Sequence, residues 1–163
     1  MRVFIFIFLT INAHYFSAQQ GVKKLDQLIH HWHKAASDAQ FDSYFKYLSD
    51  DFIFLGTAPG ERWTKKEFQE FSKPYFDKGK AWNFKSLERH VYFDKDKKIA
   101  WFDELLDTQM KICRGSGVVV KVRNEWKIQH YVLSISIPND NSDAVVKIKS
   151  PIEDSLIKKL KGN

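Results

Sequence analysis

A chain of 163 residues with 44% hydrophobic and 15% aromatic residues has the size and core-forming content of one globular domain, which excludes a disordered or repeat-built chain. Its formal charge of +6 does not mark a nucleic-acid binder, because the lysines are interspersed with acids, as at Lys65-Lys66-Glu67 and Asp94-Lys95-Asp96-Lys97-Lys98, and no ribonucleoprotein or helix-turn-helix motif occurs. Cys113 is the only cysteine, so no internal disulfide can form and no cysteine near residue 18 can carry a lipid.

The first segment, residues 1–19, reads as a secretory signal peptide. Arg2 supplies the positive start, Val3 to Ile11 is almost unbroken Val, Phe, Ile and Leu, and Phe16-Ser17-Ala18 offers a small residue for cleavage. The apolar run is shorter than the about 20 residues that a bilayer crossing needs, so stable membrane insertion is not expected after cleavage, and a secreted or periplasmic location is.

Residues 20–140 carry the domain. Val22, Leu25, Leu28, Ile29, Trp32, Ala35 and Ala36 recur at three- and four-residue steps and predict a helix over 22–40 with one apolar stripe. A short helix follows, with Phe41, Tyr44, Phe45 and Leu48 on its buried side. Phe52-Ile53-Phe54-Leu55 has the composition of a strand, and 56–60, with Pro59, that of a loop. Thr64 and Glu67 form a capping-box pattern for a third helix over 65–72, with Pro74 as its stop. Beyond residue 80 the period changes to two. Strands are expected over 82–93, 99–106, 117–122 and 126–135, the last two joined by an Arg123-Asn124 turn. Helices first and hairpins afterwards predict the α+β class, with helices covering one face of a curved antiparallel sheet. Residues 141–163 form a C-terminal extension whose apolar residues, interrupted by Pro151, predict helical packing against the outside of the domain.

Strand register then nominates a site. A first hairpin turning through Lys95, Asp96 and Lys97 places Phe93 opposite Ile99, Val91 opposite Trp101 and Arg89 opposite Asp103, all on the core face. Val118, Val120 and Val122 point inward by the same logic and bring Ser116 and Arg114 with them, while Trp126, Ile128 and Val132 bring His130. The polar ends of these strands, Arg89, Asp103, Arg114, Ser116 and His130, are expected to converge on one cavity, with Tyr47, Trp63 and Tyr75 as apolar walls at its mouth.

The runs Glu88-Arg89-His90-Val91, Ala100-Trp101-Phe102-Asp103-Glu104, Arg114-Gly115-Ser116-Gly117-Val118 and Trp126-Lys127-Ile128-Gln129-His130-Tyr131, with Phe54-Leu55-Gly56-Thr57 and Glu61-Arg62-Trp63, resemble the signature stretches of SnoaL-like proteins of the nuclear transport factor 2 superfamily. The resemblance covers about Leu25 to Asp140 and implies a cystatin-like cone made by a bent sheet and three helices, with an internal pocket and frequent dimers through the sheet. It implies little about activity, since the superfamily contains cyclases, isomerases, dehydratases and many members without a known reaction. Val132 stands where many relatives have a histidine.

Two uses of such a pocket follow from the residues. In the first, a noncatalytic cell-envelope protein holds a small, partly apolar and anionic ligand, oriented by Arg89, Arg114, Asp103 and His130. In the second, a cofactor-free isomerase, cyclase or hydratase uses Asp103 and His130 for proton transfer. Each candidate has a structural counterpart: an ion pair between Asp103 and an arginine, a core histidine at 130, a bulge at Gly115 and Gly117. His30, His31 and His33 cannot all face one side of a helix, so no metal site is expected. Tyr92, Phe102, His90 and Glu104 fall on the opposite face of the hairpin, where a homodimer through the sheet would cover the aromatics.

Overall fold

The computed structural model describes residues 4–162, with side chains from Gln19 onward, so the side chains of the expected leader, 1–19, lie almost wholly outside the described residues. Helix α1, Phe4–Ser37, runs without a break through the end of that segment into the domain. Most of its stripe is as expected: Leu25, Ile29, Trp32, Ala35 and Ala36 are buried, because a helical period of 3.6 brings them to one side, while Leu28 is partly buried and Val22, at the start, is exposed. The chain leaves α1 through Ala39, which takes a left-handed φ of 52°, and α2, Phe41–Phe45, turns Tyr44 and Phe45 into the core.

Strands β1, Leu48–Leu55, and β2, Arg62–Thr64, pair antiparallel and lead into α3, Lys65–Asp77. The capping box forms, with the Thr64 hydroxyl accepting from the Glu67 N–H and the Glu67 carboxylate accepting from the Thr64 N–H at 2.8 Å. The helix does not stop before Pro74. It carries the proline inside and continues to Asp77, since Phe76 anchors the last turn against Phe41, Tyr44 and Trp82 and outweighs the one backbone bond that Pro74 cannot make.

The four remaining strands are β3, Lys85–Phe93, β4, Ile99–Thr108, β5, Lys111–Val122, and β6, Glu125–Ile135. They form a meander, and β1 joins its free edge in parallel with β6, giving the order β2-β1-β6-β5-β4-β3. The α+β architecture is therefore as expected, with one parallel pairing in an otherwise antiparallel sheet. Helices α1 to α3 close over one face, and between them and the sheet lies a core dense in aromatics: Trp32, Tyr44, Phe52, Phe54, Phe68, Phe102 and Tyr131. The rings of Phe54 and Phe68 stack at 4.3 Å and 13°.

The register differs from the expectation by one residue. The Asp94 N–H donates to the Ile99 carbonyl at 2.9 Å and Phe93 pairs with Ala100, so Val91 faces Phe102, Arg89 faces Glu104 and His90 faces Asp103. Because side chains alternate, this slip sends Ala100, Phe102, Glu104 and Leu106 inward and Ile99, Trp101 and Asp103 outward. On β5 the inward residues are Cys113, Gly115, Gly117 and Val119, not Arg114, Ser116, Val118, Val120 and Val122. On β6, Trp126 and Ile128 point inward as expected. A bulge follows: Val119 pairs with Ile128 but Val118 with His130, so Gln129 is extra and the parity reverses. Tyr131 and Leu133 are inward beyond it, and His130 and Val132 are outward.

Helix α4, Ser142–Leu160, keeps Pro151 inside and buries none of its residues, with Ile148 and Ile152 more than three-quarters exposed. The expected packing against the domain is absent from the described residues. No helix among them is long and apolar enough to cross a membrane.

Candidate functional site

The register that removes Asp103 from the interior puts Glu104 there. Its side chain has no exposed surface, and three side chains reach it through four contacts. Arg89, opposite on β3, donates from Nε and Nη2 to Oε2 at 2.9 and 2.8 Å. The Tyr131 hydroxyl donates to Oε1 at 2.8 Å, and His33 Nε2, from α1, lies 2.8 Å from the same oxygen. Arg89 also ties the cluster to α1, donating from Nη1 to the Asp26 carboxylate at 2.6 Å and to the Asp26 carbonyl at 3.2 Å. Burial alone would push the Glu104 carboxyl up, but the charge and hydrogen bond of His33, the Arg89 guanidinium and the Tyr131 hydroxyl together hold it down at about 2. Tyr131 moves the other way: burial and the Glu104 charge push its phenol well above 10. Gly115 makes room for this cluster, since a Cβ there would collide with the Tyr131 hydroxyl and lie 2.8 Å from Glu104 Oε1.

Glu104 itself is sealed, but two recesses flank the cluster, and His33 and Arg89 line one of them. The first, about 190 Å³, opens between α3, β1, β2 and the β4–β5 hairpin. Its walls are Phe54, Trp63, Phe68, Phe71, Trp82 and Phe84, with Met110 and Leu133, and Thr57, Glu61 and Gln109 stand at its rim. The rings are nearly parallel: Trp63 stacks on Phe71 at 4.5 Å and 20°, and Phe68 on Trp82 at 5.6 Å and 29°. The second recess, about 350 Å³, lies between α1 and the start of β3 and is polar, lined by His30, His33, Lys34, Asn83, Lys85 and Arg89 among others. Phe84 belongs to both linings, so the two recesses adjoin at its ring. The irregular segment 78–84, between α3 and β3, positions both Trp82 and Phe84.

Of the residues expected at the site, Arg89 is inward and next to the polar recess, and Trp63 is a wall of the apolar one. The remainder are elsewhere. Trp101 is 46% exposed on the outer face, stacked on Tyr92 at 5.8 Å. The Asp103 carboxylate is on that face too, 3.3 Å from His90 Nδ1, and its strand neighbour Ser116 projects the same way. Arg114, His130 and Val132 share the outer face, for the register and bulge reasons given above. Phe102 and Glu104, expected outside, are buried. Tyr47 packs at the core's edge, where its carbonyl accepts from the Ile128 N–H, and lines neither recess. Tyr75 is half-exposed and touches the apolar recess only through Phe71, 5.5 Å away.

The residues that sequence reasoning missed are Glu104, His33 and Tyr131, with Trp82 and Phe84. Glu104 had a signal: it stands two residues from Phe102 and from Leu106, so any register that buries those buries it.

The fold and the sequence both have relatives. A family model described as SnoaL-like domain matches residues 25–138. No curated protein matches the chain. Among solved structures, the chain is similar to an NTF2-like protein of unknown function from Pseudomonas putida, with a TM-score of 0.62 at 14% identity over 76% of this chain and 92% of that one. It is similar to a domain of unknown function with a cystatin-like fold from Nostoc punctiforme, with a TM-score of 0.62 at 15% identity over 86% and 96%. It also resembles the association domain of CaMKII from C. elegans, with a TM-score of 0.57 at 18% identity over 72% and 96%. At these identities the structural likeness speaks for the fold, and the family match speaks for descent: the chain belongs to the SnoaL-like family of the nuclear transport factor 2 superfamily.

Proposed function

We propose that this protein is a noncatalytic binder of a small, partly apolar anion, working in the cell envelope, to which its leader-like first 19 residues would direct it. The observation that supports the reading is that the two recesses adjoin at one ring: Phe84 lines both an aromatic recess and a recess lined by His30, Lys34 and Lys85. A volume of about 190 Å³ suits one six-membered ring, since a dry engineered cavity of about 150 Å³ holds benzene. The ligand class is thus a short aromatic or alicyclic carboxylate, its ring against Trp63, Phe68 and Trp82 and its charge toward Lys85 and His30. Lys34 is tied to Asp38 at 2.8 Å, and Arg89 is held by Glu104 and Asp26, so Lys85 and His30 supply the less committed donors.

Proton transfer by the pair nominated from the sequence needs both groups near the ligand, and they are not there. Glu104 is locked as a carboxylate by its partners, and Asp103 and His130 are on the far side of the sheet. The cofactor-free enzyme that would use those two residues has no reacting pair at either recess.

Saturation-transfer NMR with benzoate, benzyl alcohol and acetate tests the reading. Benzoate is expected to bind, benzyl alcohol more weakly and acetate least; Met110→Trp, which fills the recess, abolishes all three, and Lys85→Glu removes the preference for benzoate. Equal signals from benzoate and acetate, or benzoate binding unchanged by Met110→Trp, would overturn it.

A further inference from the structure

We infer that His33 bonds the charged end of the ligand and that binding is thereby linked to a proton on its ring; the inference rests on the reading above, in which a small anion occupies the polar recess. His33 is 4% exposed and stands in the lining of that recess, on the α1 face it shares with His30, Lys34 and Ser37, while its Nε2 lies 2.8 Å from Glu104 Oε1. Glu104 is an ionised carboxylate and can only accept, so the hydrogen of that bond belongs to Nε2. One side of the imidazole is thus fixed as a donor. The other ring nitrogen, Nδ1, is buried and has no partner among the described residues. In the neutral ring it is a bare acceptor, and in the protonated ring it is a second N–H with nothing to donate to.

The charges around His33 favour the protonated ring. Asp26 on α1 and Glu104 on β4 are negative and Arg89 on β3 is positive, joined by contacts of 2.6 and 2.8 Å, so a proton on His33 brings this set from one net negative charge to none. The Tyr131 hydroxyl, from β6, donates to the same Glu104 oxygen and stays neutral. Toward the recess the facing groups are His30 and Lys34 on α1 and Lys85 on β3, and no acid stands in the lining. Lys34 is tied to Asp38 at 2.8 Å and Arg89 to its two carboxylates, which leaves Lys85 and the imidazoles to meet an anion.

A carboxylate oxygen is the partner that this arrangement selects. It accepts from Nδ1–H and offsets the charge of the ring, whereas an uncharged hydroxyl makes only the weaker bond. Phe84 meets the His33 ring edge-on at 5.8 Å and lines both recesses, so a ligand whose ring lies against the aromatic walls carries its charge past Phe84 to His33. The linkage has one sign. An anion that bonds the protonated ring binds in full below the pKa that His33 has in the empty protein, binding is lost as pH rises through that value, and the bound anion raises the pKa in turn.

Calorimetric titration of the full chain from about pH 5.5 to about pH 9 tests this, with benzoate, ionised throughout, and benzyl alcohol, uncharged throughout. Benzoate affinity is expected to fall by about tenfold or more across the range and benzyl alcohol affinity by less than about twofold. His33→Gln keeps an Nε2–H for Glu104 but has no second donor, so its benzoate affinity should be low and flat with pH. His30→Gln should weaken benzoate and retain most of the fall. The parent supplies a measurement that needs no variant: in long-range proton–nitrogen spectra of its imidazoles, benzoate should move the titration of the ring bonded to Glu104 up by about one pH unit, and benzyl alcohol should not. Benzoate binding that keeps its sensitivity to Met110→Trp but does not fall with pH, a fall that survives in His33→Gln and vanishes in His30→Gln, or an unmoved ring titration overturns the role of His33 and leaves the binding reading standing. Absence of benzoate binding at every pH overturns both.

Discussion

Arg89 and Glu104 face each other across β3 and β4, the Nη2 of one 2.8 Å from the Oε2 of the other, while the neighbouring pair His90 and Asp103 meets at 3.3 Å in solvent on the opposite face. The first pair is buried, doubly bonded and shared with His33 and Tyr131, and the second is a single contact in solvent, so they should differ sharply in consequence. Glu104→Gln leaves the Arg89 guanidinium without its main counter-charge and should cost about 3–5 kcal/mol. Asp103→Asn should cost less than about 0.5 kcal/mol, as for an exposed pair. Urea denaturation of the two variants checks both values, and benzoate binding by the Asp103 variant should equal that of the parent.

A second contrast tests the register directly. Phe102 is buried beneath Tyr131 and Trp101 is half-exposed one residue earlier, so Phe102→Ala should lose about 3–5 kcal/mol and Trp101→Ala about 1 kcal/mol or less. The opposite order in thermal or chemical unfolding would mean that the strand is turned over.

Acid should find one dominant weak point. The Glu104 carboxyl is held at about 2 in the folded chain against an ordinary 4.5, so the stability it contributes is present above 4.5 and is lost as pH falls from there toward 2. The shift corresponds to about 3 kcal/mol. At the other extreme the phenols of Tyr44 and Tyr131 are both raised, so their contribution is intact below 10 and disappears as pH rises beyond it. Stability measured by denaturant against pH should show a shoulder between 4.5 and 2 that Glu104→Gln abolishes.

Gly115→Ala should be costly although it adds one methyl group. The new carbon meets the Tyr131 hydroxyl and the Glu104 carboxylate, both fixed by other bonds, so neither can yield without breaking the cluster. A loss of about 1–3 kcal/mol is expected, together with a weakened acid shoulder. Loss of stability with the shoulder unchanged would place the strain elsewhere.

The helices, five of the six strands and the fold class were legible because each depends on periodicity, whereas the three-residue β2 is too short to show one. The stripe from Leu25 to Ala36 and the capping box at Thr64 are local patterns, and they appear as read. The site was not legible, for three separate reasons. The β3–β4 turn closes between Asp94 and Ile99, one residue from the assumed position, and alternation then inverts the whole of β4. On β5 the inward positions include Gly115 and Gly117, which carry no side chain to advertise a face, while the Val118-Val119-Val120 run fits either one. On β6 the bulge at Gln129 reverses parity midway, so Trp126 was read correctly and His130 was not. The family resemblance rested on the order of the runs and was insensitive to any of these errors.

The glutamate at 104 also acts as a key cut for one lock. Were the hairpin to slide by a single step, Asp103, shorter by one carbon, would arrive where the long carboxylate now bridges sheet and helix, and Arg89, His33 and Tyr131 would close on empty space. An all-hydrocarbon interior would tolerate that slide; a charged keyway forbids it, so the one deeply hidden anion among the described residues holds the hairpin to a single register.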